Sequence, residues 1–265
     1  MRLGLAAAAI LLAASGTAVA DETFEEGQAA YEAARFEEAA RIWKPLAEAG
    51  DADAAFNLGT LYLEGKGVPA DPETALKYWR EAADAGDVSA QHNLALTLIA
   101  GDAGKQDFVE ALHWLVRASE NGSVPSQYTL GKMYLDGLGT PKDFEAAYQW
   151  MGMAAEAGMP EALYNIAKMT RDGLGVESDP EIAVELFRRA AEAGYGKAMA
   201  ALAVRYQLGE GVERDPKQAL FWAYRAKFDG VGRAEATIKP MVAELGDEEA
   251  DKIRSEAERA AAGDG

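Results

Sequence analysis

Asn57-Leu58-Gly59-Thr60-Leu61-Tyr62-Leu63-Glu64-Gly65-Lys66-Gly67-Val68-Pro69-Ala70-Asp71-Pro72-Glu73 contains the end of one helix, a glycine loop and the start of another. Upstream, Ala54, Leu58, Leu61 and Tyr62 recur at the spacing of one helical face. Gly65-Lys66-Gly67 ends that stripe, because glycine takes left-handed backbone angles without a steric cost. Asp71 then offers a carboxylate to free amides, proline suits a first helical position, and Glu73 faces the positive end of the dipole. Ala75, Tyr78, Trp79 and Ala82 form a second apolar stripe, which Gly86 stops. The segment therefore predicts two antiparallel helices.

The pattern recurs. Gly50, Gly86, Gly122, Gly158, Gly194 and Gly230 stand 36 residues apart without an insertion. The same spacing aligns Ala39, Ala75, Ala111, Ala147, Ala183 and Ala219, and also Asp71, Asp107, Asp143, Asp179 and Asp215. A fixed period of this length marks a stacked array in which each hairpin buries its apolar face on its neighbours. Residues 21–50 read as a shorter capping hairpin without the GxG loop, 51–230 as five full units, and 231–265 as a helical cap and tail. In the cap, Pro240 falls where a helix interior should be, and Gly246-Asp247-Glu248-Glu249 reads as a stop followed by a capped polar helix. All five tryptophans fall in two neighbouring columns of the second helix, a placement that predicts core between repeats.

Composition bounds the function. The 265 residues include no cysteine, which excludes disulfides, thiolate metal sites and a cysteine nucleophile. A formal charge of −18 argues against binding a phosphate backbone. Residues 1–20 read as a secretory signal: Met1-Arg2, an apolar run from Leu3 to Ala14, and Ala18-Val19-Ala20 before a cleavage expected after Ala20. The run is too short for a good membrane span, so no stable membrane insertion is expected. The expected location is the periplasm or outside the cell.

The motif Asn57-Leu58-Gly59-x-x-Tyr62-x-x-Gly65-x-Gly67-Val68-x-x-Asp71, with Ala75 and Trp79, resembles the Sel-one-like repeat (SLR) family, a relative of the tetratricopeptide repeat. The resemblance covers residues 51–230. It is weakest in the second unit, where Gly101-Asp102-Ala103-Gly104 loses the second glycine and Leu98 replaces the tyrosine. It implies an all-α, right-handed superhelical solenoid of TPR-like hairpins that binds proteins or peptides, and it implies no catalytic residues.

The residues themselves offer little chemistry. His92 and His113 lie 21 positions apart, which is wrong for two metal ligands on one helix. The GxG loops follow no strand, so they read as repeat punctuation rather than phosphate cradles. No cofactor or metal is expected.

One face stands out. Residues 56, 60 and 63 lie opposite the core side of the first helix, where a stacked array has its inner curve. The column at 56 holds Phe56, His92, Tyr128, Tyr164 and Ala200, and Lys132, Lys168 and Arg171 place positive charge beside it. Such residues suit a concave groove for a protein or peptide, with a basic spot that receives a carboxylate. The alternative is that superhelical twist buries these rings between adjacent helices. The column Asn57, Asn93 and Asn165 has the same ambiguity, between binding ligand backbone and satisfying its own helix. The reading is a non-enzymatic exported binder, a periplasmic regulator or adaptor of an envelope or sensor system, that does not bind nucleic acid. A binder or hydrolase of cell-wall fragments is the alternative.

Overall fold

A computed structural model describes residues 23–102, 104 and 106–262; residues 1–20, read from the sequence as a secretory signal, lie outside them. The chain is a solenoid of consecutive helix hairpins, with no strand among the described residues. Helices α1 (Phe24–Glu32) and α2 (Phe36–Glu48) make the opening hairpin. Two hairpins follow, α3 (Ala52–Glu64) with α4 (Pro72–Asp84) and α5 (Val88–Ala100) with α6 (Phe108–Glu120). Then come α7 (Val124–Asp136) with α8 (Phe144–Glu156) and α9 (Pro160–Asp172) with α10 (Pro180–Glu192). The last full unit is α11 (Gly196–Leu208) with α12 (Pro216–Phe228). A 3-10 turn at Gly232–Ala234 leads into α13 (Glu235–Leu245) and α14 (Asp247–Ala262). Helix α13 runs through Pro240, which sits exposed in the helix interior where its register places it, and the helix continues past it to Leu245.

Each second helix of a full unit opens on an aspartate whose carboxylate accepts an amide two or three residues on. Asp71 accepts from Thr74 N–H at 3.1 Å and Asp143 from Ala146 N–H at 2.9 Å. The Thr74 hydroxyl also donates to Asp71, and these bonds hold that carboxyl below its usual range. Each 36-residue unit closes its loop through the backbone: Asp71 N–H donates to Tyr62 C=O at 2.9 Å, and Asp107 N–H to Leu98 C=O at 3.0 Å. The bond needs no tyrosine side chain, so Leu98 keeps this closure.

The second glycine of each GxG loop is a joint between units. A Cβ at Gly67 would lie 2.3 Å from the Phe36 carbonyl carbon, and at Gly175 it would lie 2.0 Å from the Phe144 carbonyl oxygen. Both positions also have positive φ, so backbone contact and backbone conformation demand glycine together.

The core alternates small and large. Gly59 faces Trp79, Gly131 faces Met151, and Gly27 faces Trp43, each so closely that a Cβ would strike the larger side chain. Trp43, Trp79, Leu115, Met151 and Phe187 form one buried column along the second helices. The indoles of Trp43 and Trp79 each donate to a first-helix carbonyl, of Phe24 at 3.3 Å and of Phe56 at 3.0 Å. Trp114 and Trp222 are buried, while Trp150 is half-buried. In the opening hairpin the loop Ala33–Arg35 is four residues shorter than Gly65–Asp71, and Gly27 meets Trp43 at correspondingly shorter spacing.

Candidate functional site

Phe56, His92, Tyr128 and Tyr164 occupy equivalent positions on α3, α5, α7 and α9, and all are half-buried. Their inner edges pack on the structure and their outer edges reach solvent. Phe56 stacks on Trp79, ring centroids 6.3 Å apart and planes 23° from parallel. His92 Nδ1 lies 2.8 Å from the Ser126 hydroxyl of the next unit. The Tyr128 hydroxyl accepts from Asn165 Nδ2 at 3.1 Å, again across a unit boundary. Tyr164 packs on Phe187 and Tyr195, with centroids 5.7 and 5.4 Å away. Burial pushes the Tyr128 hydroxyl up and the His92 imidazole down from their ordinary values.

The asparagines serve their own helices first. Asn57 and Asn165 donate to the carbonyls of Asp53 and Glu161, one turn earlier. Asn165 is also the bridge to Tyr128.

The cations sit beside the rings. Lys132 is exposed, its Nζ 5.9 Å from the Tyr128 centroid. Lys168 is half-buried, 5.7 Å from that of Tyr164. Arg171 forks onto Asp172 with bonds of 2.6 and 2.7 Å, which raises its already high pKa.

The ring column ends at Tyr164. The next two positions in register are Ala200 and Ala236, and a cavity of 310 Å³ opens there, between α9, α11 and α13. Tyr164, Lys168 and Arg171 line it, so the structure brings these three predicted residues together. Phe56, His92, Tyr128 and Lys132 lie along the same helix series but not in that cavity. Two residues that the column analysis missed complete it, Arg205 from α11 and Arg233 from the 3-10 turn. Arg233 donates to the Lys197 carbonyl at 2.8 Å and reaches the Tyr164 hydroxyl at 3.5 Å. A second cavity of 420 Å³ lies beside the first, with Arg171 and Arg205 lining both.

Among the described residues, no group of three or more histidines and carboxylates is placed to hold a metal ion. None of their helices is long and apolar enough to cross a membrane. The face presents aromatic edges with lysine and arginine side chains beside them.

The Sel1 repeat pattern matches residues 52–87, 88–123, 124–159, 160–195 and 196–227. The chain belongs to the Sel1 repeat family. A solved Sel1 repeat protein from Oxalobacter formigenes is 28% identical and superposes with a TM-score of 0.74. That match covers 89% of this chain and 96% of the other. A protective antigen of uropathogenic Escherichia coli with an SLR fold is 23% identical, at a TM-score of 0.56. That match covers 89% of this chain and 61% of the antigen, and it bears on the fold alone. No curated protein matches the sequence. Sel1 repeat proteins are generally non-catalytic scaffolds for protein interaction.

Proposed function

We propose that this Sel1 repeat chain is an exported, non-enzymatic scaffold that binds a protein or peptide along the face of its first helices, as a periplasmic regulator or adaptor. The observation that carries this reading is the run Phe56, His92, Tyr128 and Tyr164, whose rings are anchored on one edge and open on the other, ending in a cavity lined by cations. Anchored aromatic edges present apolar area at little entropic cost, which is what interface hot spots require. The apolar run from Leu3 and the Ala18-Val19-Ala20 site support export.

Affinity capture from an envelope extract, with mass spectrometry, tests the binding. The wild-type chain is expected to retain a partner that a Tyr128→Ala/Tyr164→Ala variant loses while still folded. Equal capture by both, or none by either, would sink the reading. N-terminal sequencing of the mature chain is expected to begin at Asp21; an intact Met1 would remove the export claim.

A further inference from the structure

Arg205 is out of place. Its counterparts in the other units, at 36-residue intervals, are Leu61, Thr97, Met133, Met169 and Met241, and all of them are buried. At this core position α11 carries a guanidinium whose side chain is only 15% exposed. Its ion pair with Glu210, at 2.5 Å, uses a terminal nitrogen. The Nε–H is buried and finds no acceptor among the described residues. A largely buried, half-satisfied charge in this column costs stability, so its place on a cavity wall points to a ligand that draws on it.

The surroundings specify that ligand. Lys168, Arg171, Arg205 and Arg233 converge on the 310 Å³ cavity, and only Arg171 and Arg205 have carboxylate partners there, Asp172 and Glu210. The site therefore keeps an excess of positive charge inside a chain whose net charge is −18. Its remaining walls are mostly apolar, formed by Tyr164, Phe187, Val204 and three alanines, with Thr237 adding a hydroxyl. A bare inorganic anion would leave those walls unused. Forked guanidinium groups match the planar, two-oxygen shape of a carboxylate.

We propose that this cavity is a binding site for a carboxylate carried on an apolar body, contributed by the bound polypeptide as its C-terminal residue or as an acidic side chain next to an apolar one. Arg205 and Arg233 hold the carboxylate, Lys168 supplies further charge, and the Tyr164–Phe187 wall receives the apolar group. The inference rests on the first-helix face being the binding face.

Three peptides test it by calorimetry: acetyl-Gly-Gly-Leu with a free carboxylate, the same peptide amidated, and acetyl-Gly-Glu-Leu amide. The free acid is expected to bind the wild-type chain with a Kd of about 1 mM or better. The amidated form is expected to bind at least about tenfold more weakly. Binding of the glutamate peptide in place of the free acid would support the same chemistry from a side-chain source. Arg205→Met, which restores the residue used at three other positions of the column, is expected to weaken carboxylate binding at least about tenfold while circular dichroism stays unchanged. Arg233→Gln, at an exposed position, is the second variant and should also weaken it. Equal binding of acid and amide, no binding of either acidic peptide, or full binding by both variants would overturn the proposal. If it fails while partner capture still depends on Tyr128 and Tyr164, the cavity inference falls and the proposed function stands.

Discussion

The two ends of this solenoid share a frame and differ in its face. At the Phe56 end the first helices start on capping side chains, Asp51, Asp87 and Ser123, and each ring sits against a filled core. At the Tyr164 end the equivalent caps are Met159 and Tyr195, which make no side-chain capping bond. There the ring column gives way to Ala200 and Ala236, and an arginine replaces methionine in the core. The joints are the same in both places: Gly67 abuts the Phe36 backbone as Gly211 abuts that of Pro180. The loops and second helices make the array, and the first helices are where its units diverge. A solenoid permits that separation because each unit contacts only its neighbours.

The sharpest way to break the claim of a shared frame is at the joints. Gly67→Ala and Gly211→Ala each place a Cβ within 2.3 Å of backbone, at φ of 69° and 72°. Each is expected to cost about 3 kcal/mol or more in urea unfolding, and by similar amounts at the two ends. A mild effect at one end alone would mean that the joints differ. The face is tested next, by Met133→Arg, which puts the Arg205 substitution into the filled half. Met133 is buried and Leu138 stands where Glu210 would be, so the substitution is expected to lower stability by about 3 kcal/mol, read by the urea midpoint.

Smaller effects sharpen the picture between the ends. Tyr128→Phe removes the bond from Asn165 across a half-buried unit boundary and should cost about 1 kcal/mol in thermal unfolding. His92 is held neutral by burial, with its folded-state pKa below the ordinary 6.5. As pH falls through 6.5 the unfolded chain takes the proton first, so this contribution is full above that pH and is lost toward the lowered value. His92→Gln should remove that slope, read by comparing thermal unfolding at pH 7 and pH 5. An unchanged slope would mean that the ring is solvated.

Much of the frame was legible because it repeats. The spacing from Gly50 to Gly230 gave the hairpins, and the aspartates Asp71 to Asp215 gave the starts of the second helices. Glycine and aspartate are chosen there by local backbone needs that a sequence displays directly. The face was legible only in part. Column reasoning found Tyr164, Lys168 and Arg171, but a wheel drawn on one helix cannot show which neighbouring columns a cavity joins. Arg233 comes from the irregular turn after the last unit, outside any column of the first helices. Arg205 was within reach: reading the methionine column as closely as the ring column exposes it at once. Pro240 falls inside a helix, as its register places it, and α13 tolerates it at an exposed position.

The comparison finally rests on what Arg205 is for. If the ligand site costs the fold something, Arg205→Met must melt higher than wild type, because it exchanges a half-satisfied buried guanidinium for the side chain that fills this column elsewhere. Such replacements of buried charge are worth about 1–4 kcal/mol when they fit. Thermal unfolding of the two chains side by side is the direct test. A raised Tm is the predicted result; a lowered one would show that Arg205 and Glu210 hold the last unit together and would contradict the account.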